Sequence, residues 1–216
     1  MQSRTLSKER QSYMSAGVTQ FMKDVTDIHE TFSDERLPPG QRETTAFPVL
    51  SKGETPSIPD DSAFEVWGTV DQELSVTLEE FKEFESETQR QDFHCVTGWS
   101  RFDCTFHGVP FSTIASRVGV RDETSQVLFH AHDGYTTDLP LSACLHEGVL
   151  FAWEFDGEPL SGEHGGPLRV VTPHKYAYKG AKWVSGVEFL SDPERGYWEH
   201  RGYSVTANPW NEERYL

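Results

Sequence analysis

One cysteine sits among groups that suit chemistry. Cys95 lies within Asp92-Phe93-His94-Cys95-Val96-Thr97-Gly98-Trp99-Ser100-Arg101, with Cys104 and His107 close behind. A nucleophilic thiol needs a base, and His94 or His107 is near enough in sequence to serve, but no third, orienting group follows. His94, Cys95, Cys104 and His107 also offer zinc-type donors, although Cys104 and His107 lack a clean partner pair at ligand spacing. Two further readings stand beside these. One is a buried structural thiol, the commonest fate of an isolated cysteine; the other is a thiolate on a softer, redox-active metal.

The charge pattern narrows the choice. The chain carries 35 acidic against 19 basic residues, a net charge of −16, yet residues 164–187 contain no Asp or Glu. That stretch holds Arg169, Lys175, Lys179 and Lys182 with His164 and His174. A second acid-poor stretch, residues 93–121, has Asp103 as its only carboxylate. Two cationic segments in an acidic chain point to a walled pocket for an anion. Gly165-Gly166-Pro167 is a turn whose backbone amides can approach a ligand closely. Arg169 offers a planar fork of donors and Lys182 a point charge, which together suit a phosphate-bearing ligand. The overall negative charge repels nucleic-acid backbones and anionic lipid, so neither is the expected partner.

Elements must position these groups. With 216 residues, 36% hydrophobic and 12% aromatic, the chain is sized for one well-buried domain with extensions. Val18, Phe21, Met22, Val25, Ile28 and Phe32 form one stripe of an amphipathic helix in an N-terminal extension, residues 1–35. Leu37-Pro38-Pro39-Gly40 breaks it, and residues 36–62 read as an ordered surface arm. Alternation from Phe64 to Val70 predicts a strand. Thr77 followed by Glu80 is a capping box opening a helix to about Ser86, and a second short helix fits Ser112 to Val118. Further strands are expected at Val127 to His130, Val149 to Phe155, Leu168 to Val171 and Trp183 to Phe189. The mixture of short strands and few helices predicts an α+β domain over residues 36–191, with an aromatic tail, residues 192–216, packed back on it.

The most apolar stretch, Gly148 to Trp153, is too short to cross a bilayer. Three cysteines argue against a disulfide framework, and the first residues carry no apolar leader, so a cytoplasmic protein is expected.

Phe93-His94-Cys95-Val96-Thr97-Gly98-Trp99-Ser100, followed by His164-Gly165-Gly166-Pro167-Leu168-Arg169-Val170-Val171, Pro173, Lys175-Tyr176, Tyr178-Lys179 and Ala181-Lys182-Trp183, closely resembles the sulfite oxidase-like molybdopterin-binding oxidoreductases. Leu37-Pro38-Pro39-Gly40-Gln41, Phe47-Pro48-Val49 and Asn208-Pro209-Trp210 are similar to the short prokaryotic branch of that family, and the likeness runs over residues 36–216. The resemblance implies the fold of that molybdopterin-binding domain and a Mo-molybdopterin cofactor, with Cys95 on the metal. It puts His164, Arg169 and Lys182 on the pterin and its phosphate, with backbone contacts from Gly180 and Ala181. It also implies transfer of an oxygen atom to or from a small sulfur- or nitrogen-containing or oxyanion substrate. Tyr203 is similar to a substrate-pocket tyrosine, and Arg101, His130 and His132 are expected with it at the open metal position. Trp99 and Ser100 stand where the family's sulfite oxidases place a cationic pair, so the substrate does not carry over. The chain is too short for the haem domain of animal sulfite oxidases, which implies a separate redox partner protein. Competing readings are a non-catalytic pterin- or phosphate-ligand-binding protein and a zinc or thiol protein.

Overall fold

Among the described residues the longest elements are two neighbouring strands, β4 (Glu87–Cys95) and β5 (Trp99–Pro110), joined by the turn that follows Cys95. Sequence reading gives neither. β4 is mostly polar, its alternation is interrupted by a bulge between Gln91 and Phe93, and β5 contains Gly108 and ends on Pro110. Such strands are specified by their neighbours rather than by their own pattern. A computed structural model describes residues 36–216; the helix expected between residues 16 and 32 lies outside the described residues.

The remaining strands are β1 (Arg42–Glu43), β2 (Ala63–Gly68), β3 (Leu74–Thr77), β6 (Gln126–Ala131), β7 (Thr136–Pro140), β8 (Leu150–Phe155), β9 (Glu158–Pro159), β10 (Arg169–Val171) and β11 (Val184–Leu190). One sheet runs β1-β5-β8-β10, with β4 added on β5 and β9 on β8. The other runs β3-β2-β11-β6-β7, with β11 parallel to β2 and antiparallel to β6. Among the described residues three short helices complete this α+β fold: α1 (Leu78–Lys82), α2 (Phe111–Val118) and α3 (Leu141–Cys144). The capping box is formed. Thr77 Oγ1 accepts from the Glu80 amide at 3.2 Å, and Glu80 Oε2 accepts from the Thr77 amide at 2.8 Å. α1 nevertheless stops at Lys82, short of the expected Ser86.

The main core contains Phe64, Phe81, Phe111, Phe129, Phe151 and Phe189, with Ile114 and Val118 supplied by the buried face of α2. Each such side chain contributes about 1.5–3 kcal/mol on burial. A second, smaller core lies around Phe93, Cys95, Trp99, Phe106, Leu150, Ala152 and Val171. Alternation sends Phe151 and Val170 to the main core and Leu150, Ala152, Arg169 and Val171 away from it. Cys95 and Arg169 thereby come to share one environment.

Residues 192–216 pack back on the domain, with Tyr197 and Trp198 against the main core. The Tyr176 amide donates to the Ala207 carbonyl at 2.8 Å, Trp210 meets His94 edge to face at 5.1 Å, and Arg214 donates to the Val96 carbonyl.

Candidate active site

Cys95 is the last residue of β4, and the turn beyond it is closed by the Gly98 amide donating to the Cys95 carbonyl at 3.1 Å. Gly98 has φ of 91°, a conformation that only glycine adopts without strain. Gln41 Nε2 also donates to the Cys95 carbonyl, at 3.2 Å, and the flanking His94 is fixed by Ser100 Oγ at 2.8 Å from Nδ1. Burial drives His94 down to about 4, so its imidazole is neutral and structural. The Cys95 sulfur stands 3.1 Å from Thr97 Oγ1. Burial pushes this thiol above its ordinary value, opposed by hydrogen bonding from Thr97 and by the charge of Arg214.

Cys95 opens onto a cavity of about 260 Å³. Arg169, His164, Gly180 and Lys182 form its cationic wall. Arg169 is 2% exposed; Nη1 donates to the His164 carbonyl at 2.9 Å, and the guanidinium lies 5.2 Å from the Phe93 ring centre. Lys182 Nζ donates to the Glu163 carbonyl at 2.7 Å. Among the described residues neither cation has a carboxylate partner within ion-pair distance. Burial lowers Arg169 to about 10 and Lys182 to about 8, the latter helped by the charge of Arg169. Burying the Arg169 guanidinium without a paired carboxylate is costly, and an anionic ligand held between it and the half-buried Lys182 removes that cost. His164 stacks on Phe47, with centroids 4.3 Å apart and planes within 5°; burial, then Arg169 and Lys182, keep it neutral. At Gly180 a Cβ would stand 2.5 Å from the Val170 carbonyl, so only glycine lets this wall lie so close to β10.

Part of the lining is aromatic. Tyr203 lies 5.4 Å from Tyr178 and 5.0 Å from Trp198, and all three line the cavity. Burial, then Tyr215 and the nearby Cys95, raise the Tyr203 phenol, which stays protonated near neutrality.

Of the residues singled out from sequence, Cys95, His164, Arg169, Gly180, Lys182 and Tyr203 meet at this cavity. Four do not line it. Arg101 is tied to Asp156 at 2.6 Å and packs on the Phe155 ring at 4.7 Å, behind the cavity wall. His130 points off the other face of β6, where Nε2 meets Glu188 Oε2 at 3.0 Å and the ring sits on Trp67. His132 is exposed, with its backbone amide bonded to the Trp183 carbonyl at 2.9 Å. The segment after β6 reaches the cavity instead through Asp133 and Tyr135. Ala181 turns its side chain into the main core, and its carbonyl accepts from Val170. The zinc-type donors are likewise separated: His107 Nδ1 pairs with Thr88 Oγ1 at 2.9 Å, and burial lifts Cys104 to about 12. Among the described residues no three His, Cys, Asp or Glu side chains converge to hold a metal.

Sequence reasoning passed over Lys52, Thr97, Asp133, Tyr178 and Trp198. Lys52 Nζ donates to the Asp133 carbonyl at 2.7 Å and lies 3.4 Å from its carboxylate, closing one side of the cavity. Thr97 was legible as a hydroxyl two residues from the thiol; Lys52 and Asp133 carry no local signal, because a long-range pairing makes them neighbours.

The family model for the oxidoreductase molybdopterin binding domain matches residues 52–198. The chain is 43% identical over 182 residues to the uncharacterized oxidoreductase YuiH of Bacillus subtilis, covering 83% of this chain and 92% of that protein. It is 31% identical over 140 residues to a putative protein-methionine-sulfoxide reductase subunit, YedZ1, of Azospira oryzae, covering 65% of this chain and only 53% of that relative. Among solved structures, the sulfane dehydrogenase SoxCD of Paracoccus pantotrophus shares the fold, with a TM-score of 0.58 at 20% identity over 64% of this chain and 40% of that one.

Proposed function

The chain belongs to the sulfite oxidase-like, molybdopterin-binding oxidoreductases, and from that premise we propose how its cavity works. The protein is a molybdenum-dependent oxidoreductase with a Mo-molybdopterin cofactor. In our reading Cys95 supplies the one protein thiolate to molybdenum, while Arg169, Lys182, His164 and the close-lying backbone at Gly180 hold the pterin and its phosphate. The observation that carries this reading is the buried Arg169, with no carboxylate partner, and the half-buried Lys182 on the same cavity as the Cys95 sulfur. When bound, the cofactor supplies a two-electron couple for oxygen-atom transfer.

The chain's own residues do the rest. Cys95 would bind the metal as a thiolate, the metal's charge offsetting the burial that otherwise disfavours that form. Thr97 Oγ1 holds the sulfur's position through their 3.1 Å contact. Phe47, stacked on His164, keeps water off the cationic wall. Tyr203, protonated and lining the cavity, offers a hydrogen bond to an oxygen of a bound substrate. The substrate is a small sulfur- or nitrogen-containing molecule or oxyanion, and electrons pass to or from a separate redox protein. Three free, buried cysteines suit a reducing compartment, and we place the protein in the cytoplasm.

Protein purified from a host that makes the cofactor is expected to hold about one molybdenum per chain by elemental analysis. Cys95→Ser should lose the metal. A panel of sulfite, S-oxides and N-oxides, coupled to ferricyanide or reduced viologen, then identifies the substrate. Wild-type protein free of both metal and pterin overturns the reading.

A further inference from the structure

A second set of buried charges lies beside the cavity, outside the roles assigned above. Asp138, Lys179 and Glu199 are each fully buried. Lys179 Nζ donates to Glu199 Oε1 at 2.5 Å and to the Asp138 carbonyl at 2.7 Å, with Asp138 Oδ1 at 3.6 Å. The carboxylates are held further: Gln126 Nε2 donates to Asp138 Oδ2 at 2.7 Å, the Gly196 amide to Asp138 Oδ1 at 3.0 Å, and Thr137 Oγ1 to Glu199 Oε1 at 3.0 Å. Two carboxylates around one ammonium are a poor way to fill a core, since apolar side chains of equal volume usually do as well or better. What the set adds is direction: charge-assisted hydrogen bonds fix distances that apolar packing leaves free to slip.

The three segments it joins are β7, the 3-10 turn Ala177–Lys179 and the 3-10 turn Glu199–Arg201. The two 3-10 turns are also the segments that carry the aromatic wall. Tyr178 precedes Lys179, and Trp198 and Tyr203 flank the Glu199 turn. The same segments are laced together by Tyr135 OH donating to the Tyr178 carbonyl at 2.5 Å and Tyr178 OH donating to the Ser204 carbonyl at 2.6 Å.

We propose that Asp138, Lys179 and Glu199 are positioning residues that hold Tyr178, Trp198 and Tyr203 at a fixed reach from the Cys95 sulfur and thereby set substrate affinity. This rests on the functional reading above. The set touches no substrate; it acts through the wall.

The test compares the holoenzyme with Glu199→Gln, and with a triple variant, Asp138→Asn, Lys179→Met and Glu199→Gln, that removes all three charges at similar volume. Three quantities are read: molybdenum and pterin content, amide hydrogen exchange over residues 197–204, and steady-state kinetics with methyl p-tolyl sulfoxide and reduced viologen or with sulfite and ferricyanide. The triple variant should retain cofactor within about twofold and exchange residues 197–204 at least roughly tenfold faster. Its KM should rise about tenfold with kcat within about threefold, the signature of lost binding contacts rather than lost chemistry. Glu199→Gln should move the same quantities by about threefold, and decides the matter alone if the triple variant does not fold. Unchanged exchange and unchanged KM overturn the proposal. So does loss of cofactor with faster exchange spread through β4 and β10, which marks a general support of the fold. If the wild type holds no molybdenum the functional reading fails, and the exchange data still decide whether the set pins the wall.

Discussion

At the scale of single residues, the site is a thiol on one cavity with Arg169 and Lys182, neither of which is paired with a carboxylate at ion-pair distance. The sign of one substitution follows. Replacing Arg169 by Met removes a buried, uncompensated guanidinium and leaves a shape that the surrounding Phe93, Phe47 and Phe106 rings accept. The cofactor-free protein should therefore become more stable, by about 1–3 kcal/mol in urea unfolding, while cofactor retention is lost. A merely structural arginine would show the reverse, destabilisation with cofactor still held. Cys95, His164, Arg169 and Lys182 stood out in the sequence, because an acid-free stretch in an acidic chain and an isolated cysteine are local signals, whereas Tyr203 came from the family resemblance alone. Arg101, His130 and His132 do not line the cavity, and the reason is not local. Which face a strand residue takes, and whether a carboxylate such as Asp156 or Glu188 waits across the sheet, is decided by pairing partners 55 and 58 residues away.

At the scale of elements, α2, the capping box of α1 and the strands β2, β6, β8, β10 and β11 follow from periodicity and caps. The hairpin that carries the sulfur does not, since polar β4 gains its order from β5. The closest fit in the site is also an element property. Gly180 lets the wall of Tyr178 to Lys182 approach β10, and Gly180→Ala drives a Cβ into the Val170 carbonyl at 2.5 Å. Backbone cannot yield as a flexible side chain does, so the wall must move outward. The expected result is a fold that survives, at a cost of about 1–3 kcal/mol, with cofactor content reduced at least severalfold by pterin fluorescence after denaturation.

At the scale of the whole molecule, two fields act. Burial holds His94 at about 4 against an ordinary 6.5, and burial with His146 and Lys175 pushes His174 down as well. The unfolded chain then takes up protons that the folded one refuses. The His94 contribution is complete above pH 6.5 and is lost as pH falls toward 4, amounting to about 3 kcal/mol for that residue alone. Urea midpoints at pH 7.5 and 5.0 should show the fall, and a His94→Gln variant should show less of it. The other field is the net charge of −16. Turnover limited by trianionic ferricyanide should speed up between low and physiological salt, and turnover limited by cationic methyl viologen should slow, as screening weakens repulsion and attraction in turn. Equal salt slopes for the two mediators would show that electrons leave through a patch shielded from this charge.

The turn after Cys95 is gripped from both sides of the sequence, by Gln41 on the Cys95 carbonyl and by Arg214 on the Val96 carbonyl. During synthesis the first of these grips forms early, but the second must wait until position 214 has cleared the ribosome. The sulfur therefore acquires its final posture only after nearly all of these 216 residues have been made. Loading of the metal centre is consequently expected only once Arg214 has been made, and a nascent chain stalled before Arg214 should take up none.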